Sequence, residues 1–207
     1  MSRSEAASAI LSLYQRHAAA FAQQRSQTLF EKSWLEKFAA CLPENGRILD
    51  IGCGNGQPIA AWFIAQGFHL TGVDGAPAML ERARQTFPSA RWVHQDMRQL
   101  ALAQTFDGLI AWDSFFHLTQ NDQRSMFARF ARHSHPGSVL MFTSGPEDGI
   151  AIGQFEGEPL YHASLAPEEY RQQLAAIGFR VLEMRAEDPD CGGHTVWLAQ
   201  RTAGADN

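Results

Sequence analysis

Ile48-Leu49-Asp50-Ile51-Gly52-Cys53-Gly54-Asn55-Gly56 is the stretch whose reading decides the fold. A short apolar run leads directly into three glycines at alternate positions, and a helical pattern follows. Without a Cβ the chain can turn sharply there, and its backbone can lie against a ligand. In doubly wound α/β folds such a turn joins a strand to a helix at the carboxyl edge of the sheet, where ligands bind. Taken alone, the motif fits a tight strand–helix connection with no ligand equally well. Its spacing narrows the choice. Dinucleotide folds place the third glycine three residues after the second, under a pyrophosphate; here that place is Gln57, and the glycine stands at Gly56. A ligand without a pyrophosphate fits better, and a nicotinamide oxidoreductase is the least favoured reading.

Outward from this turn, short apolar runs alternate with helical ones. Strands are expected at 47–51, 68–73, 90–94, 106–112, 138–143, 179–186 and 194–200, and helices at 57–66, 77–86, 120–134 and 167–177. This alternation predicts a mostly parallel sheet built from right-handed crossovers. The last two strands lie too close in sequence for a crossover helix, so that pair must be antiparallel. Upstream, an amphipathic helix is expected over 4–25, with Ile10, Leu13, Tyr14, His17 and Phe21 on one stripe. A second is expected over 28–41, burying Phe30, Trp34, Leu35 and Phe38. Residues 144–166, with glycines at 145, 149, 153 and 157, show no clear period. They read as a long connection whose Phe155, Tyr161 and His162 argue for an ordered cap. The last residues, 202–207, read as a disordered tail.

Composition bounds the function. The 207 residues fit one domain, with 45 % apolar and 19 % charged residues and a formal net charge of −5. Lysine occurs only at Lys32 and Lys37, and the arginines are scattered singly, so the basic stripe that nucleic acid requires is absent. Cys41, Cys53 and Cys191 have no framework spacing and read as reduced thiols. No apolar run spans a bilayer and the first residues hold no secretory h-region, so a cytoplasmic location without membrane attachment is expected. The eight histidines show no metal-ligand spacing, so no metal site is expected.

Two further acidic positions stand in register with the glycine turn. Val73-Asp74 ends the second expected strand, where a carboxylate can accept both hydroxyls of a ribose; its competing role is to cap the helix just beyond. Asp96-Met97 follows the third strand, where Asp96 could accept from an adenine amino group while Met97 lies against the ring. The ordered set of residues 49–56, Val73-Asp74, Gln95-Asp96-Met97 and Phe106-Asp107-Gly108-Leu109-Ile110 resembles the successive motifs of class I S-adenosylmethionine-dependent methyltransferases, over roughly residues 46–200.

That resemblance implies a Rossmann-like seven-stranded sheet with an antiparallel C-terminal strand. It implies a single domain with a helical lid over 1–45, a core over 46–201 and the tail beyond. It also implies S-adenosyl-L-methionine as cofactor, with Gly52, Gly54 and Gly56 under the methionyl part and Asp50 supporting its amino group. Asp74 would hold the ribose, and Asp96 and Met97 the adenine. Ala111–Leu118 resembles the segment after the fourth strand that binds the methionyl amine, although Trp112 and Asp113 stand where small residues are common.

The acceptor should enter where 113–118, 144–166, 187–194 and the N-terminal helices converge. Alignment and exclusion of water do most of the work in methyl transfer, while a hydroxyl or ammonium acceptor must also lose a proton, a task that suits histidine. His117 ranks first as that base, then His162 and Tyr161. Tyr14, His17, Phe115 and His194 are candidate contacts to the substrate. His17 and Tyr14 could equally be lid core, and His133 and His135 could simply favour a helix C-terminus. Acidic residues expected at the rim (Glu147, Asp148, Glu156, Glu158, Glu187, Asp188 and Asp190) read first as a solvated face; as a second reading, they favour a neutral or amine acceptor over a polyanion. The leading expectation is a small-molecule N- or O-methyltransferase. The alternatives are a non-catalytic S-adenosylmethionine-binding module and a non-methylating enzyme using the same cofactor.

Overall fold

The computed structural model describes residues 2–25 and 28–202. Three helices come first: α1 (Arg3–Arg16), α2 (Ala18–Gln24) and α3 (Lys32–Ala40). Then follow β1 (Arg47–Ile51), α4 (Ile59–Ala65), β2 (His69–Asp74), α5 (Pro77–Thr86), β3 (Arg91–His94), β4 (Phe106–Ala111), α6 (Gln120–Arg132) and β5 (Ser134–Ser144). The chain continues through β6 (Gly149–Phe155), β7 (Glu158–Ser164), α7 (Pro167–Ala176), β8 (Phe179–Asp188) and β9 (His194–Arg201). Seven strands form one sheet in the order β3-β2-β1-β4-β5-β9-β8. β1 to β5 are parallel, and β9 runs antiparallel between β5 and β8, as the short final connection requires.

Alternate residues along each strand supply the two faces of the core. Ile48, Val139 and Met141 face α3, α4 and α5 through Trp34, Phe38, Phe63 and Leu80. Leu49, Leu140 and Phe142 face α6 and α7 through Phe127, Phe130, Tyr170 and Leu174. Each helix thus buries one apolar stripe against a sheet covered on both sides, which is why β4 is apolar nearly throughout. Strand order reverses between β1 and β4, so a crevice opens where their carboxyl ends diverge.

Two expected features differ. The helix over 4–25 is broken at His17, which ends α1 and begins α2 with φ −107° and ψ 22°. Its side chain bonds Glu158 at 2.6 Å, and Ala18 packs against Ala76 and Met79. The connection over 144–166 contains a regular antiparallel hairpin, β6–β7. Its two-residue tip, Glu156-Gly157, has positive φ at both positions (52° and 77°), the geometry that matches strand twist. The tail lies outside the described residues except for Thr202.

The hairpin is fixed to the core by Gln123, which is fully buried. Its Nε2 donates to the carbonyls of Leu118 (3.1 Å) and Ala163 (2.7 Å), and its Oε1 accepts from the Tyr170 hydroxyl (2.6 Å). Gln123→Leu keeps the bulk and takes a donor from the Leu118 and Ala163 carbonyls and the acceptor from the Tyr170 hydroxyl, which retains its bond from Leu165 N. The expected loss is about 3 kcal/mol or more, read by urea unfolding; a loss within experimental error would show that the hairpin is held elsewhere.

Candidate active site

The glycine turn is built into the sheet edge. The amides of Gly52 and Cys53 donate to the Val73 carbonyl at 2.8 and 3.1 Å, which binds the turn to β2. Ser114 Oγ donates to the Ile51 carbonyl at 2.7 Å, which binds it to the segment after β4. Gly52 has φ +75°, and a Cβ there would overlap the Ser114 side chain and stand 3.1 Å from Met97 Cε. Only glycine fits without movement of this wall.

Two cavities of about 290 and 260 Å³ flank the turn. Tyr14, Phe21, Gly52, Gly54, Asp113 and His117 line both, so these six residues form a throat between two lobes. A molecule occupying both lobes must pass it. The N-terminal helices cover the crevice: Tyr14 comes from α1 and Phe21 from α2, and Leu11 packs directly on Gly75.

The first lobe contains Val73, Asp74, Gln95, Asp96, Met97 and Arg98. Asp74 Oδ2 accepts from Gly54 N at 2.9 Å and Oδ1 from Ala76 N at 2.8 Å. It therefore joins the glycine turn to the approach of α5, and lone pairs on both oxygens remain for hydroxyl donors. Burial raises its pKa against the lowering effect of these amides. Asp96 accepts from Arg98 N and pairs with its guanidinium at 2.6 Å. Burial works against its charge, yet Arg98 holds its pKa below the usual value.

The second lobe contains Asp50, Gln57, Trp112, Phe116, His162, His194 and Arg25. Asp50 is only 4 % exposed, and burial, reinforced by Asp74, lifts its pKa to about 7. No hydrogen bond reaches its carboxylate among the described residues. A buried carboxylate without a donor fits a cationic ligand group. The methionyl ammonium that resemblance assigns to it meets that condition. Trp112 stacks on His194 at 5.5 Å between ring centroids, and its buried Nε1 has no partner among the described residues. Asp113 has φ +48° and bonds His194 Nε2 at 2.8 Å. Burial opposes charge on His194, but the bond to Asp113 and its charge raise the imidazole pKa above its ordinary value.

His117, the first-ranked base, has both ring nitrogens committed. Nδ1 stands 2.8 Å from the Tyr161 carbonyl, which can only accept, so Nδ1 carries the proton. Nε2 is then the acceptor for the Tyr14 hydroxyl at 2.9 Å. Burial pushes the imidazole pKa down to about 4 and keeps it neutral. His162 differs: its Nδ1 donates to the Leu160 carbonyl at 3.2 Å, no partner for Nε2 occurs among the described residues, and burial lowers its pKa.

Three sequence candidates lie outside both lobes. Tyr161 contributes its carbonyl to His117, while its ring packs with Ala6, Ile10 and Ala163 under α1. Phe115 is fully buried in the core, and its neighbour Phe116 faces the second lobe instead. His17 pairs with Glu158 at the hairpin tip. Nor do the seven acidic residues assigned to the rim line either cavity. Glu158 is held by Arg16, Glu156 by Gln24, and Asp148 by Gln120, while Asp188 accepts from Trp34 Nε1. His133 caps α6 as a hydrogen-bonding group, not as a cation: it donates to Arg129 O and accepts from Leu102 N, and burial lowers its pKa. Phe21, Arg25, Gln57 and Phe116 line the site without having been singled out for it. Phe21 alone had a signal, on the expected stripe of the first helix.

The comparisons agree with this geometry. Residues 48–137 match the family described as "Methyltransferase domain". A Pyrenophora dematioidea O-methyltransferase is 31 % identical over 166 residues, 74 % of this chain and 61 % of that one. The Bacillus subtilis (strain 168) protein YqeM, itself only provisionally named a methyltransferase, is 34 % identical over 139 residues, 63 % of this chain and 54 % of that one. The chain thus spans little more than half the length of these curated relatives. Among solved structures, Burkholderia thailandensis 1,6-didemethyltoxoflavin-N1-methyltransferase, with its substrate and S-adenosylhomocysteine bound, has TM-score 0.73 at 20 % identity, covering 98 % of this chain and 92 % of that one. At that identity the likeness is one of fold. With sheet order, glycine turn and matched segment in accord, residues 48–137 carry a methyltransferase domain, and the chain has the fold of the S-adenosylmethionine-dependent methyltransferases.

Proposed function

We propose that this chain transfers a methyl group from S-adenosylmethionine to a nitrogen or oxygen nucleophile of a small molecule. The two-lobed crevice meeting at the glycine turn carries this reading, because it offers one compartment to a nucleoside and another to an acceptor. Asp74 would take the ribose hydroxyls and Asp50 the ammonium. Asp96 and Met97 would flank the adenine, with Asp96 already neutralised by Arg98. Bound there, the cofactor would supply an electrophilic methyl group on a sulfonium. The protein's share is to hold the nucleophile in line at the throat and keep water out. Residues 1–45 act as the lid over a core of residues 46–201. His162, with Nε2 unbonded, is the imidazole that can take a proton shed by the nucleophile, in place of the committed His117. Trp112, Phe116 and His194 form the acceptor walls.

Melting with S-adenosylhomocysteine at about 100 times its Kd should add about 2.7 kcal/mol, a rise of about 5–10 °C for a chain of this size. No shift at saturation would refute the reading. Asp74→Ala removes the ribose acceptor and frees the amides of Gly54 and Ala76, and it should weaken S-adenosylhomocysteine at least about tenfold by calorimetry. Unchanged affinity would remove Asp74 from the site.

A further inference from the structure

We propose that the methyl acceptor is an amine nitrogen that attacks as the neutral free base, held by an N–H donated to the hydroxyl oxygen of Tyr14. This rests on the methyltransferase reading above and narrows it to one nucleophile class.

The reacting atoms must meet at the throat, since it is all that the two lobes share. Its polar side chains are Tyr14, Asp113 and His117. The chain of bonds through them has one direction. The Tyr161 carbonyl fixes the proton on His117 Nδ1, so Nε2 is bare and the Tyr14 hydrogen is spent on it. Tyr14 therefore presents lone pairs and no hydrogen to a ligand. The ring is held by Phe21 edge-on at 5.7 Å and by Phe155 at 5.9 Å, so this acceptor is fixed in place. It selects a nucleophile that still carries a hydrogen while its own lone pair attacks. A primary or secondary amine does so, and is nucleophilic while neutral, whereas a neutral hydroxyl is a weak nucleophile until it loses the very hydrogen it would give; a phenolate or carboxylate has no hydrogen to give.

Charge points the same way. When a neutral amine attacks, the nitrogen lone pair forms the N–C bond and the S–C pair remains on sulfur, so positive charge passes from sulfur to nitrogen. The new ammonium then loses one proton, which His162 Nε2 can take. Asp113 stands at the throat, paired with His194 at 2.8 Å and Arg25 at 3.6 Å, and Asp50 and Asp74 stand on its two sides; their carboxyl oxygens can accept from the N–H groups of a cation developing on nitrogen. An anionic oxygen nucleophile would instead destroy charge in reacting, and would leave these acceptor oxygens without a donor.

The test incubates the protein with S-adenosylmethionine carrying a deuterated methyl group and a cellular small-molecule extract, and tandem mass spectrometry assigns the label. Label on nitrogen is expected. Label on oxygen or carbon overturns the amine assignment and leaves the methyltransferase reading intact. No labelled product at all defeats both. With the labelled amine in hand, Tyr14→Phe keeps the ring contacts and removes the acceptor oxygen. KM for a primary or secondary amine should rise about tenfold, while a tertiary analogue with no N–H should be unaffected. A variant that changes both alike shows Tyr14 to be only packing, and overturns its role.

Discussion

Asp50→Asn is expected to raise the melting temperature of the ligand-free protein at pH 7.5 and, in the same molecule, to remove most of its affinity for S-adenosylmethionine. The folded protein keeps a proton on Asp50 up to about pH 7, whereas an unfolded aspartate releases it near pH 4. Across that window the folded state binds the extra proton, so stability falls as pH rises and the full cost is present above pH 7. About three pH units at about 1.4 kcal/mol each set an upper limit of about 4 kcal/mol. Asp50 borders a cavity that admits water, so a gain of about 1–2 kcal/mol, or about 3–6 °C, is the expected result. Asparagine is nearly isosteric and has nothing to ionise. Affinity moves the other way, because a ligand ammonium loses its counter-charge, and a fall of about 30-fold or more is expected. In the wild type a bound cation favours the ionised carboxylate, so binding ejects a proton below pH 7 and affinity should fall towards tenfold per pH unit there. That acid limb should flatten in the variant. A variant that melts lower, or keeps both affinity and acid limb, would show that Asp50 is not the cation site.

What the sequence disclosed of this molecule, and what it hid, follow from the range of the forces involved. The expected helix over 77–86 coincides with α5 (Pro77–Thr86), because a proline at its start and one just past its end mark both boundaries locally. β1 and β4 were legible because strands covered on both faces are mostly apolar. The β6–β7 hairpin was hidden: its strands carry Gly149 and Gly153 and lack clean alternation, and Glu156-Gly157 is a weaker turn signal than Asn-Gly. Asp50, Asp74, Asp96 and Met97 reach the crevice because each sits at or next to a strand's carboxyl end, which chain order alone defines. The acceptor side depends on tertiary contact. Phe115 and Phe116 are neighbours in a single helical turn after β4, and nothing local tells which faces inward. No spacing reports that Tyr14, over 100 residues away, occupies Nε2 of His117. The acidic residues illustrate the same limit: they were assigned to the rim by loop membership, yet Glu156 and Glu158 pair with lid residues and Asp148 and Asp188 with residues of α6 and α3. The acidic groups that do line the crevice include Asp50, Asp74 and Asp113.

Gly52→Ala is the substitution expected to damage the site most for the smallest change in mass. The methyl group adds two costs. A non-glycine residue at φ +75° costs about 1–2 kcal/mol of backbone strain, and the new Cβ overlaps the Ser114 side chain and crowds Met97. Ser114 cannot withdraw cheaply. Its Oγ holds the Ile51 carbonyl, and the preceding Asp113 is fixed by its amide on Thr143 and its carboxylate on His194. Either wall that yields moves one of the two lobes, since Met97 lines the first and the segment after β4 lines both. A loss of about 2–4 kcal/mol in stability and of about 100-fold or more in S-adenosylhomocysteine affinity is expected. Gly137→Ala separates the two costs: Gly137 has φ +91° and nothing within 4 Å of a Cβ, so it should lose about 1–2 kcal/mol and leave affinity unchanged. Adding Ser114→Gly to Gly52→Ala relieves the overlap and leaves the strain, and should recover part of the affinity and little of the stability. Calorimetric titration of the three variants reads this directly. If Gly52→Ala binds within threefold of the wild type, the glycine turn is not the floor of the nucleoside site, and the ligand would have to lie elsewhere in the crevice.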